Sequence, residues 1–140
     1  MTAALDALAD VQPPADREAV REEHLRRVIT ELTGHQVEDV IWSTAHGDLY
    51  YGNVTRGPHI LDWEGRGCAL YDYDAATLFV YALLTPETAA RIRTELAPVL
   101  DRPEARTGMP TVCAQVLQAQ DRIDFYSEPA RAVHEQLARL

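Results

Sequence analysis

The stretch His46-Gly47-Asp48-Leu49-Tyr50-Tyr51-Gly52-Asn53, followed by Ile60-Leu61-Asp62-Trp63-Glu64, is the part of this sequence whose residue types and spacing carry chemistry. A short apolar run, Val40-Ile41-Trp42, leads into it, and Val54-Thr55 and His59-Ile60-Leu61 flank Gly57-Pro58. Glycine first and proline second suit a two-residue type II′ hairpin turn, since glycine takes the positive φ and proline the negative one that follows. With those two residues as the turn, Asn53 lies directly opposite Asp62, and opposed Cβ atoms on one face are about 5 Å apart. An amide oxygen and a carboxylate would then converge on a point that suits a hard cation such as Mg2+. Asp48 approaches the same point from the loop.

The sequence on either side reads as helical. Residues 1–40 form a helical lead-in: a short Ala/Leu helix (Ala3 to Val11), a break at Pro13-Pro14, then an amphipathic helix from the N-cap Asp16 to Gly34. Leu25, Val28, Ile29 and Leu32 make its apolar stripe, and Glu22–Arg26 and Glu23–Arg27 are i,i+4 pairs. Residues 41–66 hold the loop and the hairpin. Residues 73–140 are expected to be all helical. Asp74 to Leu84 is apolar on every side, as in a buried helix. Thr85 caps a helix with Pro86 at its first position, running to about Leu100. After a loop at 101–110, two more helices are expected over Thr111–Ile123 and Glu128–Leu140. The expected fold is one domain, residues 1–140, mainly α with a small inserted β-hairpin (α+β).

Composition narrows the classes of function. Apolar residues at 46% and charged residues at 25% fit a globular chain. A net charge of −9 argues against nucleic acid or an anionic membrane as the main partner and suits a cationic ligand or simply a soluble surface. All 13 basic residues are arginine, so mechanisms built on a phosphate-cradling or Schiff-base lysine are excluded for these 140 residues. Cys68 and Cys113 are far apart, which argues against a zinc site or a disulfide framework. Met1 to Asp10 lacks a basic n-region, and the longest uncharged run, Ala75 to Pro86, is too short to span a bilayer. A cytoplasmic protein is expected.

The wording HGDLYYGN followed by ILDWEG resembles the aminoglycoside phosphotransferase and choline-kinase family, whose pattern is H-G-D-x-x-x-x-N, then a hydrophobic pair and D-W or D-F. The resemblance runs from about residue 15 to the end and matches the C-terminal lobe of a kinase-like fold. It implies that Asp48 is catalytic and receives or orients the acceptor hydroxyl. Asn53 and Asp62 become the ligands of Mg2+ on the nucleotide phosphates, with ATP or GTP as phosphoryl donor. His46 becomes a scaffold residue, and Asp74 the first-turn aspartate of a buried helix that holds the catalytic-loop backbone. The implied acceptor is an aminoglycoside or another small amino alcohol; Glu64, just after Asp62, reads either as a contact to a cationic substrate or as a solvated turn acid. No Gly-rich loop precedes His46, so the N-terminal lobe of such a fold is expected to be absent and the chain to be truncated. The upper face around Trp42 and the hairpin is then expected to be covered by a second copy or a partner chain.

Two other readings use the same residues. In one, the chain is a catalytically inactive kinase-like interaction module. In the other, His46, Asp48, His59 and Asp62 form a His/Asp metal site of a hydrolase. The plainer alternatives are a hydrogen-bonded structural role for His46, a solvated His59, packing roles for Tyr71, Tyr73 and Tyr81, and a helix-dipole role for Asp74.

Overall fold

Order along the chain is α1 (Thr2–Ala9), α2 (Glu22–Thr33), β1 (Trp42–Ala45), β2 (Gly67–Leu70), α3 (Tyr73–Tyr81), α4 (Pro86–Glu95), α5 (Ala97–Leu100), α6 (Gly108–Gln120) and α7 (Ser127–Leu137). These elements come from a computed structural model that describes residues 1–34, 37, 40–57, 59–120 and 127–139. The described residues are mainly helical, with one two-stranded antiparallel sheet. None of the helices among them is long and apolar enough to cross a membrane.

The sheet is not the expected hairpin. Its strands flank the loop region: Trp42 pairs with Leu70 and Ala45 with Gly67, so residues 46–66 leave and re-enter at one end of the sheet. Between 53 and 62 the described residues contribute only an isolated bridge, Val54 to Ile60. The free edge of β2 is covered by residues 17–20. The Cys68 N–H donates to the Arg17 carbonyl (2.8 Å), and the Ala19 N–H donates back to Cys68 (2.9 Å). This pairing explains why α2 begins at Glu22 and not near Asp16: the intervening residues make a turn at 15–16, a parallel bridge from Glu18 to Cys68 and a bend at 19–20. Gly34 ends α2 with φ 71°, as its C-cap position demands. Leu32 faces solvent rather than joining the stripe of Leu25, Val28 and Ile29.

Helix α3 is buried on every side from Tyr73 to Val80. One core gathers Leu25, Val28 and Ile29 of α2, Leu70, Phe79, Val112 and Val116 of α6, and Val133 of α7. A second gathers Leu5, Leu78, Leu96, Val99 and Leu49. Leu49, next to Asp48, is fully buried there. Such a leucine contributes about 1.5–3 kcal/mol, so the loop is anchored by packing as well as by hydrogen bonds.

The helix expected from Pro86 to about Leu100 is two. Pro98 lacks an N–H and its ring would clash with the carbonyl four residues back, so α4 stops at Glu95 and Pro98 sits in the first turn of α5. Helix α6 starts at Gly108, earlier than the expected Thr111, because Asp72 caps its backbone. Ile123, the expected end of that helix, lies outside the described residues, as does Leu140.

Candidate functional site: the loop between the two strands

His46 follows β1 directly and is fully buried. Its Nε2 meets the Leu61 carbonyl at 2.8 Å, and its Nδ1 faces the Asp48 N–H at 3.3 Å. A carbonyl only accepts, so Nε2 carries the proton and Nδ1 accepts. The Trp63 ring stands edge-on to the imidazole at 4.8 Å. With both nitrogens used, His46 ties the start of the loop to the residue just before Asp62.

Asp74, in the first turn of α3, is buried beneath the same loop. Its carboxylate accepts the N–H of His46 (2.6 Å) and of Gly47 (3.0 Å). Burial pushes its carboxyl above the usual range, and those two N–H groups pull it back. The loop therefore rests on a buried acid whose burial those two N–H groups offset. Gly47 has φ 87°, and a Cβ there would lie 2.2 Å from the Gly65 carbonyl oxygen. Only glycine allows this approach. Gly65 in turn lies against Asp48, its own Cβ position 3.5 Å from that of Asp48. The two halves of the loop are thus packed backbone to backbone.

The expected register between Asn53 and Asp62 is off by one. Val54 is opposite Ile60, the Thr55 N–H bonds to the His59 carbonyl (3.1 Å), and the Leu61 N–H bonds to the Asn53 carbonyl (2.9 Å). The connection is longer than two residues, so Asn53 faces Leu61. Gly57 lies in that connection; Pro58, the second residue of the expected turn, lies outside the described residues. Neither metal candidate is on a strand. Asn53 ends a short 3-10 turn (Tyr51–Asn53), and Asp62 precedes another (Trp63–Gly65). A one-residue slip would normally turn a side chain to the other face. Asp62 instead adopts φ 59°, ψ 70°, the one non-glycine residue with positive φ among those described. That conformation costs about 1–2 kcal/mol and marks a position under constraint.

Asn53 is buried and its Nδ2 donates to the Asp48 carbonyl (2.9 Å). With its carbonyl accepting from Leu61, this one residue links Asp48 to the segment entering Asp62. The carboxylates of Asp48 and Asp62 are exposed, and no described residue forms a hydrogen bond or ion pair with either.

Glu64 is exposed and borders a groove of about 730 Å³ beside Gly47 and Gly65. The groove is not simply acidic: Arg17, Arg21 and Arg66 line it with Asp16, Glu18 and Glu64, and Arg17 donates to the Glu64 carbonyl (2.6 Å). The His/Asp metal site is not formed. No group of three or more His, Cys, Asp or Glu side chains able to hold a metal occurs among the described residues. The imidazole of His46 is fully used, and His59 is exposed beside Gly57. Exposed apolar side chains of the loop are Tyr51, Leu61 and Trp63; Ile41 is exposed beyond the far end of β1, and Trp42 is half-buried.

Asp72 is a residue the sequence reading passed over. It is 1% exposed, and both carboxylate oxygens lie 3.0 Å from the Gly108 N–H. Burial raises its pKa to about 6 against the opposing backbone N–H groups of α6. A Cβ on Gly108 would come within 2.5 Å of that carboxylate. The signal was the alternation Tyr71-Asp72-Tyr73-Asp74, two acids entering an otherwise apolar helix. No family model, no curated protein and no solved structure matches this chain.

Proposed function

We propose that this chain is a phosphotransferase of the aminoglycoside phosphotransferase and choline-kinase kind, moving a phosphoryl group from ATP or GTP to a hydroxyl of a small molecule. The observation that carries this reading is the buried Asp74 carboxylate. It holds the backbone at His46 and Gly47 and so presents Asp48, whose own carboxylate is unengaged, at a fixed place. Such rigidity is what phosphoryl transfer asks of a protein, because positioning and electrostatics supply most of the rate.

In this reading Asp48 accepts the hydrogen bond of the acceptor hydroxyl, orients its oxygen and takes its proton as the bond to phosphorus forms and the bond from that phosphorus to the leaving nucleoside diphosphate breaks. Asn53 and Asp62 hold Mg2+. The donor chemistry supports this: Nδ2 of Asn53 is committed to the Asp48 carbonyl, which leaves Oδ1 as a hard oxygen donor, and the Asp62 carboxylate is exposed and unengaged among the described residues. When bound, Mg2+ neutralises charge on the nucleotide phosphates. His46 and Asp74 position the loop, and Glu64 with Asp16 and Glu18 offers carboxylates to a cationic acceptor. The groove's three arginines make the acceptor region charge-balanced.

These 140 residues contain neither a lysine nor a Gly-rich loop before His46, so the chain alone is expected to transfer phosphate slowly. The test is a coupled assay with ATP or GTP and a panel of amino alcohols, beside Asp48→Ala. Slow Mg2+-dependent transfer lost in Asp48→Ala supports the reading; transfer untouched by that substitution overturns it. A second reading, an inactive kinase-like module docked to a second copy or a partner chain, is favoured by the exposure of Tyr51, Leu61 and Trp63. Turnover on the order of one per second that needs Asp48 would contradict it.

A further inference from the structure

We propose that a second cavity, remote from the loop, binds a small organic anion: a phosphate ester or carboxylate carried on an apolar body. The cavity, about 520 Å³, lies where α4 and α5 meet the start of α6 and the end of α7. Arg93, Arg106 and Arg139 line it together with Gln136, and none of the described lining residues is acidic. In a chain of net charge −9, three arginines line one hollow and two of them have no acidic partner among the described residues, a local excess of positive charge. Arg93 is held by Asp101 from outside the cavity. Arg106 and Arg139 form no ion pair among the described residues. Their charge is permanent, so each is balanced by a bound anion or by solvent. The guanidinium fork matches the paired oxygens of a phosphate or carboxylate. Beneath it, Leu100 is half-buried and Met109 is buried, giving an apolar floor for the rest of the ligand. Gln136 adds an amide that can donate to the same oxygens.

The test uses the whole chain and a built-in reporter. Met1 and Met109 are its two methionines, so labelling methionine methyl groups gives a Met109 signal that Met109→Leu assigns. Phenyl phosphate, benzoate, inorganic phosphate and benzylamine are titrated in turn. The proposal expects a saturable shift of the Met109 methyl with phenyl phosphate, with benzoate or with both. Inorganic phosphate should bind more weakly than phenyl phosphate, and benzylamine not at all. A response to one aromatic anion alone assigns the natural head group to phosphate or to carboxylate. Arg106→Glu should weaken binding roughly tenfold or more, the worth of a charge-assisted hydrogen bond. Arg131→Glu, on the exposed side of α7, should leave it unchanged. Arg106 is exposed, and an unaltered thermal melt shows that the substitution leaves the fold intact. No shift with either aromatic anion, an equal shift with benzylamine, or undiminished binding in Arg106→Glu would overturn the proposal.

Discussion

Gly47 and Gly65 meet so closely that a Cβ on the first would lie 2.2 Å from the carbonyl oxygen of the second. This contact closes the base of the loop and sets Asp48 beside the turn that Asp62 opens. Gly47→Ala therefore meets two penalties, a positive φ and an overpacked backbone, together about 2–5 kcal/mol. Gly34, with φ 71° and nothing within 4 Å of its Cβ position, meets only the first. Urea unfolding should show Gly47→Ala clearly less stable than Gly34→Ala. Equal losses would mean that the two backbones are not in contact.

Asp74 offers a second comparison. Asp74→Ala strands two N–H groups next to a buried helix, at about 1–3 kcal/mol each, whereas Asp74→Asn keeps one acceptor oxygen and should cost less. Hydrogen exchange at the His46 and Gly47 amides should accelerate strongly in Asp74→Ala and moderately in Asp74→Asn. Unchanged exchange at those two amides would contradict the contact.

Stability should depend on pH through Asp72. Its carboxyl is raised from 3.8 to about 6 in the folded chain, so between those values the native state binds protons that the unfolded state has released. The stabilisation is complete below the unfolded value and is lost as pH rises through about 6, a change of about 3 kcal/mol. Asp74 is shifted in the same direction. Unfolding free energies measured from pH 4 to 7 should fall with rising pH, and Asp72→Asn should flatten the slope. An equally steep slope in that variant would assign the dependence elsewhere.

Much of the helical scaffold is legible in the sequence because its signals are local. Gly34 stops α2, Pro86 opens α4, and the unbroken apolar run after Asp74 belongs to a buried helix. The strand pairing was not legible. It joins residues 42–45 to 67–70 across the whole loop, and a four-residue strand such as Gly67-Cys68-Ala69-Leu70 carries no periodicity that separates it from a turn. The bridge of Glu18 to Cys68 is hidden for a related reason: its identity depends on the open edge of β2, a tertiary fact. At the site, the grouping of His46, Asp48, Asn53 and Asp62 in one loop was readable from spacing. The register was not, because a left-handed Asp62 and a longer connection around Gly57 replace the tight turn that Gly-Pro suggested.

The most direct measurement of the central claim follows the side-chain amide of Asn53, the chain's one asparagine, in the presence of Mn2+ and ATP. Mn2+ takes the same hard oxygen donors as Mg2+ and broadens the signals of nearby protons. The account predicts that Mn2+ with ATP broadens the Asn53 amide selectively and that Asp62→Asn abolishes the effect while the thermal melt is unchanged. An Asn53 amide that stays sharp while exposed acids elsewhere on the chain respond to the metal would contradict the assignment of Asn53 and Asp62 as its ligands.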